Sequence, residues 1–168
     1  WAAATRLFAR AWAFTPQSPP ETKWNAFVAF AGTFAIVIVF WAAHLAITRR
    51  LKVFDWPVIW VNALFLFAVA TLPFASALIG EYGSVGAAWQ VYCVALMAAS
   101  FSQALLVLVT TRDGGRLVDG VTGREIVWRF LRAVSPGVAF TAGLVLSLQG
   151  SAQMAALCWM LIPPLLLV

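Results

Sequence analysis

Residues 34–41, Phe34-Ala35-Ile36-Val37-Ile38-Val39-Phe40-Trp41, are apolar at every position. A half-buried strand, or a strand in the wall of a membrane barrel, alternates polar and apolar side chains with a period of two, and no such alternation is present. Outward from this run no charged residue occurs between Lys23 and Arg49. At about 1.5 Å of rise per residue, a helix over that stretch outreaches a hydrocarbon core of ~30 Å. The stretch therefore reads as a transmembrane helix.

The same reading extends to the rest of the chain. Of 168 residues, 63% are hydrophobic and only 10% are charged, whereas soluble domains carry about 25% charged residues. The eleven Lys and Arg and six Asp and Glu fall at positions 6–23, 49–55, 81 and 112–132, which leaves 24–48, 56–80, 82–111 and 133–168 free of charge. Each of the first three stretches holds one span. The fourth is long enough for two, and Gln149-Gly150-Ser151 supplies the break. The expectation is an all-α polytopic membrane protein. Residues 1–24 form an extracytoplasmic N-terminal segment and 25–168 a transmembrane domain, with helices at about 25–48, 56–79, 84–111, 127–148 and 152–168. Its first partner is the lipid bilayer.

Basic residues in short loops stay on the cytoplasmic side. Arg49, Arg50 and Lys52 lie in one loop, and Arg112, Arg116, Arg124, Arg129 and Arg132 in or beside another; these eight are expected inside. The C-terminus is then cytoplasmic and the N-terminal segment is outside, an arrangement that a preceding helix explains. Residue 1 is Trp, so the sequence is expected to begin within a longer product or after processing. Residues 1–20 do not supply the extra span, because Arg6 and Arg10 interrupt the apolar run from Trp1 to Phe14 and Pro16, Pro19 and Pro20 stop a helix there. Topology accounts for the net charge of +5, and no nucleic-acid role is indicated. The bias toward Ala, Arg and Trp with short loops suits a bacterial plasma membrane.

Enzyme chemistry finds no support in the motifs. Cys93 and Cys158 sit in apolar helices without CxxC spacing, a single His44 cannot build a metal site, and paired acids and phosphate loops are missing. Asp113-Gly114-Gly115-Arg116 and Asp119-Gly120 read as turns. No enzyme activity, metal or cofactor is expected.

The informative residues are the polar ones within spans, because lipid offers them no partners. His44 lies about 7 Å inside the boundary marked by Arg49, and Asn62 about 10 Å inside that marked by Asp55 on the next helix. The two share a depth and are candidates for a mutual hydrogen bond. Alternatively, His44 snorkels to the interface beside Trp41. Trp56 and Trp60 read as interface anchors. Pro73 frees the Val69 carbonyl, and Thr71 or Ser76 is expected to satisfy it rather than line a water path. Gln90, Ser100, Ser102 and Gln103 form no continuous polar stripe, so interhelix hydrogen bonds are expected of them. Ser135-Pro136-Gly137 with Thr141 and Gly143 should permit close helix approach, while Pro163-Pro164 interrupts the last helix.

The run Phe40-Trp41-Ala42-Ala43-His44, followed by Asp55, Trp60, Asn62, Leu64-Phe65-Leu66, Leu72-Pro73-Phe74 and Glu81-Tyr82, resembles the transmembrane protein 175 family of potassium channels. The likeness covers about residues 24–110, and the last two helices resemble the family by topology alone. The resemblance implies a six-helix repeat with both ends cytoplasmic, four copies of which surround a pore in bacterial members; this chain would supply helices two to six of a homotetramer. The family's pore-lining first helix carries an Arg and Phe-Ser-Asp signature that does not occur here. His44 and Asn62 would then belong to the polar network that supports that signature, which favours the network over snorkelling. The expected function is that of a potassium-permeable channel subunit with potassium as permeant. A small multispanning transporter or an accessory membrane subunit is the alternative.

Overall fold

The computed structural model describes residues 20–115, 117–118 and 120–149. They form four helices: α1, Pro20–Thr48; α2, Trp56–Tyr82; α3, Gly86–Gly115; and α4, Gly123–Leu148. Each is long and apolar enough to cross a membrane. The described charged residues fall in loops or terminal helical turns, except Arg129 and Arg132 further inside α4, and the chain is a multi-pass α-helical membrane protein. The fifth helix expected at 152–168, with Cys158 and Pro163-Pro164, lies outside the described residues, as does the segment before Pro20.

All four helices overrun their expected limits. α1 starts at Pro20 rather than 25, because proline in the first helical turn gives up an N–H that has no helical partner in any case. Asp55 caps α2 by accepting the Val58 N–H at 3.2 Å, with Pro57 at the second helical position. Thr122 caps α4 from Glu125 N at 3.4 Å, so α4 begins four residues earlier than its apolar pattern. α2 runs on to Tyr82, and α3 to Gly115, through the Asp113-Gly114 expected as a turn.

Neighbours in sequence are neighbours in space. α1 packs on α2, α2 on α3 and α3 on α4, with a small further contact between α1 and α3. α3 is the central helix, with 61% of its apolar window buried against 22% for α1. One core joins Phe40, Phe65, Leu72, Tyr92, Leu96 and Phe140. A second, at the basic end, joins Ile47, Val58, Leu106, Val107, Leu117 and Val118. The outer faces are as apolar as the core, with Phe34, Ile38, Phe67 and Val138 exposed. That pattern suits lipid rather than water.

Small residues set the closest approaches. A Cβ on Gly80 would stand 2.6 Å from the Ala26 Cα, and one on Gly137 would stand 2.8 Å from the Ser100 Oγ and from the Phe101 ring. Polar groups bridge the helices between these points. Tyr92 and Thr33 share their hydroxyls at 2.9 Å, the Gln103 amide donates to the Phe40 carbonyl at 3.2 Å, and the Ser147 hydroxyl donates to the Gly86 carbonyl at 3.1 Å.

Proline is handled differently in the two helices that contain it. In α4 the Arg132 carbonyl freed by Pro136 receives the Ser135 hydroxyl at 3.2 Å. In α2, Thr71 donates to Ala68 O at 2.7 Å and Ser76 to Pro73 O at 2.9 Å. Neither hydroxyl reaches the Val69 carbonyl, contrary to the sequence expectation. Thr71 bonds three residues back, one residue beyond that carbonyl, and Ser76 reaches back only to Pro73, four residues short of it.

Candidate functional site

The residues of the Phe-Trp-x-x-His run separate by helix face. On the inner face of α1, Phe40 and His44 are 3% and 6% exposed, and both meet Phe65 of α2. The His44 ring stacks on Phe65 with centroids 4.7 Å apart and planes 13° from parallel, and Phe40 tilts against the same ring at 6.4 Å. On the outer face Trp41 is exposed, with its ring 5.7 Å from His44. Trp56 and Trp60 are also exposed, as belt residues should be. His44 is thus buried by packing on an aromatic ring.

Burial leaves His44 with an unmet need. Its Nδ1 and the Oδ1 of Asn62 are buried and have no hydrogen-bond partner among the described residues. The mutual bond expected from their shared depth is not formed. An unpaired polar atom in a low-dielectric interior costs about 1–3 kcal/mol, and native structures leave few of them. Asp55, Pro73 and Phe74 have other places in the fold. Asp55 caps α2 and pairs with Arg112, while Pro73 is exposed and Phe74 half-buried.

The basic end is ordered by contacts that residue spacing does not reveal. Glu125 receives Arg50 at 2.9 Å and Arg129 at 2.7 Å. The loop after α1 docks on the loop after α3 through Lys52 N to Leu117 O at 3.0 Å and an antiparallel bridge between Leu51 and Val118. A local signal for part of this was present in Thr122-Gly-Arg-Glu125, a capping-box pattern that marks a helix start. No group of three or more His, Cys, Asp or Glu able to hold a metal occurs among the described residues, and Cys93 is buried and forms no disulfide among them. The cavity lined by Ile47, Val107, Thr110, Thr111, Val118 and Arg129 has a volume of about 10 Å³, room for about one water.

These features define the class: a polytopic helical bundle with an apolar exterior and a pair of unsatisfied polar atoms on the α1–α2 seam. Residues 5–73, which include all of α1 and α2 as far as Pro73, match the model of the family described as endosomal/lysosomal potassium channel TMEM175. This is the family that the Phe40–His44 and Asp55–Pro73 motifs resemble, and the match reaches further toward the N-terminus than those motifs do. Phe74 and Glu81-Tyr82 lie beyond it. No curated protein and no solved structure matches the chain.

Proposed function

We propose that the chain is a subunit of a potassium-permeable cation channel, in which ions pass along the axis of an oligomer of four copies. The observation that carries this reading is the family match over residues 5–73, because all of the helix holding His44 and the part of α2 that holds Asn62 fall within it. The family is one of channels, and passive flow needs neither a cofactor nor a catalytic residue.

In this reading α1 to α4 are scaffold. Their shared interior is filled by apolar side chains, so the conduction path lies between copies, lined by a helix that precedes the Phe-Trp-x-x-His run in the gene product. A pore with apolar rings controls flow by wetting and drying and selects modestly between cations. The unpaired Nδ1 of His44 and the Oδ1 acceptor of Asn62 suit polar partners on that preceding helix, and a helix seated there would be held at a fixed height against α1 and α2. The basic end would face the cytoplasm of a bacterial cell.

The test is potassium flux into liposomes containing the purified full-length gene product. Flux above that of empty vesicles, running down a potassium gradient alone, is the expected result. Flux equal to that of empty vesicles would overturn the proposal, and flux requiring a second solute gradient would favour a transporter.

A further inference from the structure

We infer that the basic end of the bundle binds the headgroup of an anionic glycerophospholipid, with Arg49 and Arg124 meeting the phosphate layer and Val53 and Phe54 entering the acyl boundary beneath it. This inference rests on the membrane-spanning fold and not on conduction, so its failure leaves the channel proposal standing.

The platform is built rather than a pair of loose loops. The Leu51–Val118 bridge and the Lys52–Leu117 hydrogen bond fasten the loops to each other, and Leu117 and Val118 are buried in the core beneath them. With its inner side anchored in this way, the first loop turns Lys52, Val53 and Phe54 outward, the last two 57% and 56% exposed. Water alone gives two adjacent exposed apolar residues no gain. A surface with an apolar layer directly under an anionic one suits both them and the cations on either side.

The charges follow the same logic. Asp55 and Glu125 are the carboxylates among the described side chains of this end, and both are engaged internally, Asp55 by Arg112 and Glu125 by Arg50 and Arg129. Arg49 and Arg124 are exposed and make no ion pair among the described residues. Because Arg50 bonds Glu125, the loop carrying Arg49 lies against the start of α4, which carries Arg124. Exposed Trp56, Trp60 and Trp128 on the adjoining turns set the depth. A soluble acidic protein would match the arginines but would leave Phe54 and Trp60 without a partner, which favours the lipid.

The experiment is native mass spectrometry of the delipidated full-length protein with equal phosphatidylglycerol and phosphatidylcholine. Preferential retention of phosphatidylglycerol is expected. It should weaken roughly fivefold for each cation removed in Arg49→Gln and Arg124→Gln, with Arg49→Lys retaining it. Phe54→Ser leaves the charges in place and should lower retention of both lipids. Equal retention of the two lipids, an unchanged preference in the single variants, or displacement of the lipid by millimolar inorganic phosphate would overturn the proposal. So would an acidic protein whose co-purification is abolished by the same substitutions. Wild-type melting of the single variants is the check that they fold.

Discussion

The hydroxyl of Ser100 accepts the amide proton of Gly137 at 2.8 Å across the interface between α3 and α4. The same oxygen donates its own proton to the Ala133 carbonyl at 2.5 Å. Ala133 O and Gly137 N are the pair that bond each other in an uninterrupted helix. They flank Pro136, where the ladder has already lost a donor. A side chain of the central helix therefore completes the backbone of its neighbour at the one place where that backbone is weakened, and it does so where no water is at hand.

Ser100→Ala should therefore cost more than one ordinary interhelix hydrogen bond, because it removes a donor and an acceptor together. A loss of about 1–2 kcal/mol is expected, read as a lowered melting temperature in detergent. Gly137→Ala should cost about 1–3 kcal/mol, because its Cβ would meet both Ser100 and Phe101. Wild-type melting of both variants would show that the bridge carries no weight.

The other close approach makes a separate prediction. Gly80→Ala places a Cβ 2.6 Å from the Ala26 Cα and 2.9 Å from its Cβ. Backbone cannot yield as a flexible side chain does, so α1 must shift away from α2 at that end, at a cost of about 1–3 kcal/mol. Ala26→Gly should restore only part of the loss, since it removes the Cβ but leaves the Cα. Full recovery in the double variant would refute this geometry.

The spans were legible because lipid imposes a simple rule: charges stay out, and stretches such as 24–48 and 82–111 obey it. The polar residues Ser100 and Gln103 were recognisable as interhelix donors for the same reason. Their acceptors were not, because hydropathy carries no information about which backbone carbonyl of a neighbouring helix faces Ser100. His44 and Asn62 were placed at one depth by helical rise alone. Depth does not fix rotation about the helix axis, and rotation is what puts His44 on Phe65 instead of on Asn62. α4 began earlier than its apolar pattern because Thr122 caps it through a local hydrogen bond, a signal of residue type rather than hydropathy.

Asp55 and Glu125, both at the basic end, should respond differently. Asp55 both caps α2 and pairs with Arg112, so Asp55→Asn, which keeps the cap, isolates the ion pair, while Asp55→Ala removes both. The expected order is a small loss for Asn and about 1 kcal/mol more for Ala. Glu125→Gln weakens two pairs whose arginine partners are 43% and 19% exposed. Solvent screening holds that cost under about 1 kcal/mol, and it should shrink as salt rises. Melting curves at low and high ionic strength separate these contributions. A salt-independent loss for Glu125→Gln would mean that its role is packing.

His44 offers the sharpest test of the oligomer. Among the described residues it earns its burial by stacking on Phe65, while its Nδ1 is unpaired. Phenylalanine keeps the stack and removes the orphan atom. If nothing in the assembled protein ever meets Nδ1, His44→Phe should match or exceed wild-type stability, because an unsatisfied polar atom has been deleted at little steric cost. If a further helix supplies the partner, His44→Phe strands that helix's own polar group and should weaken the oligomer by about 1–3 kcal/mol. His44→Ala loses the stack as well and should be worse than phenylalanine in either case. The proposed network requires the second outcome: in detergent, the His44→Phe oligomer should dissociate at a lower temperature than wild type. An oligomer as stable as wild type would show that His44 is only a packing residue.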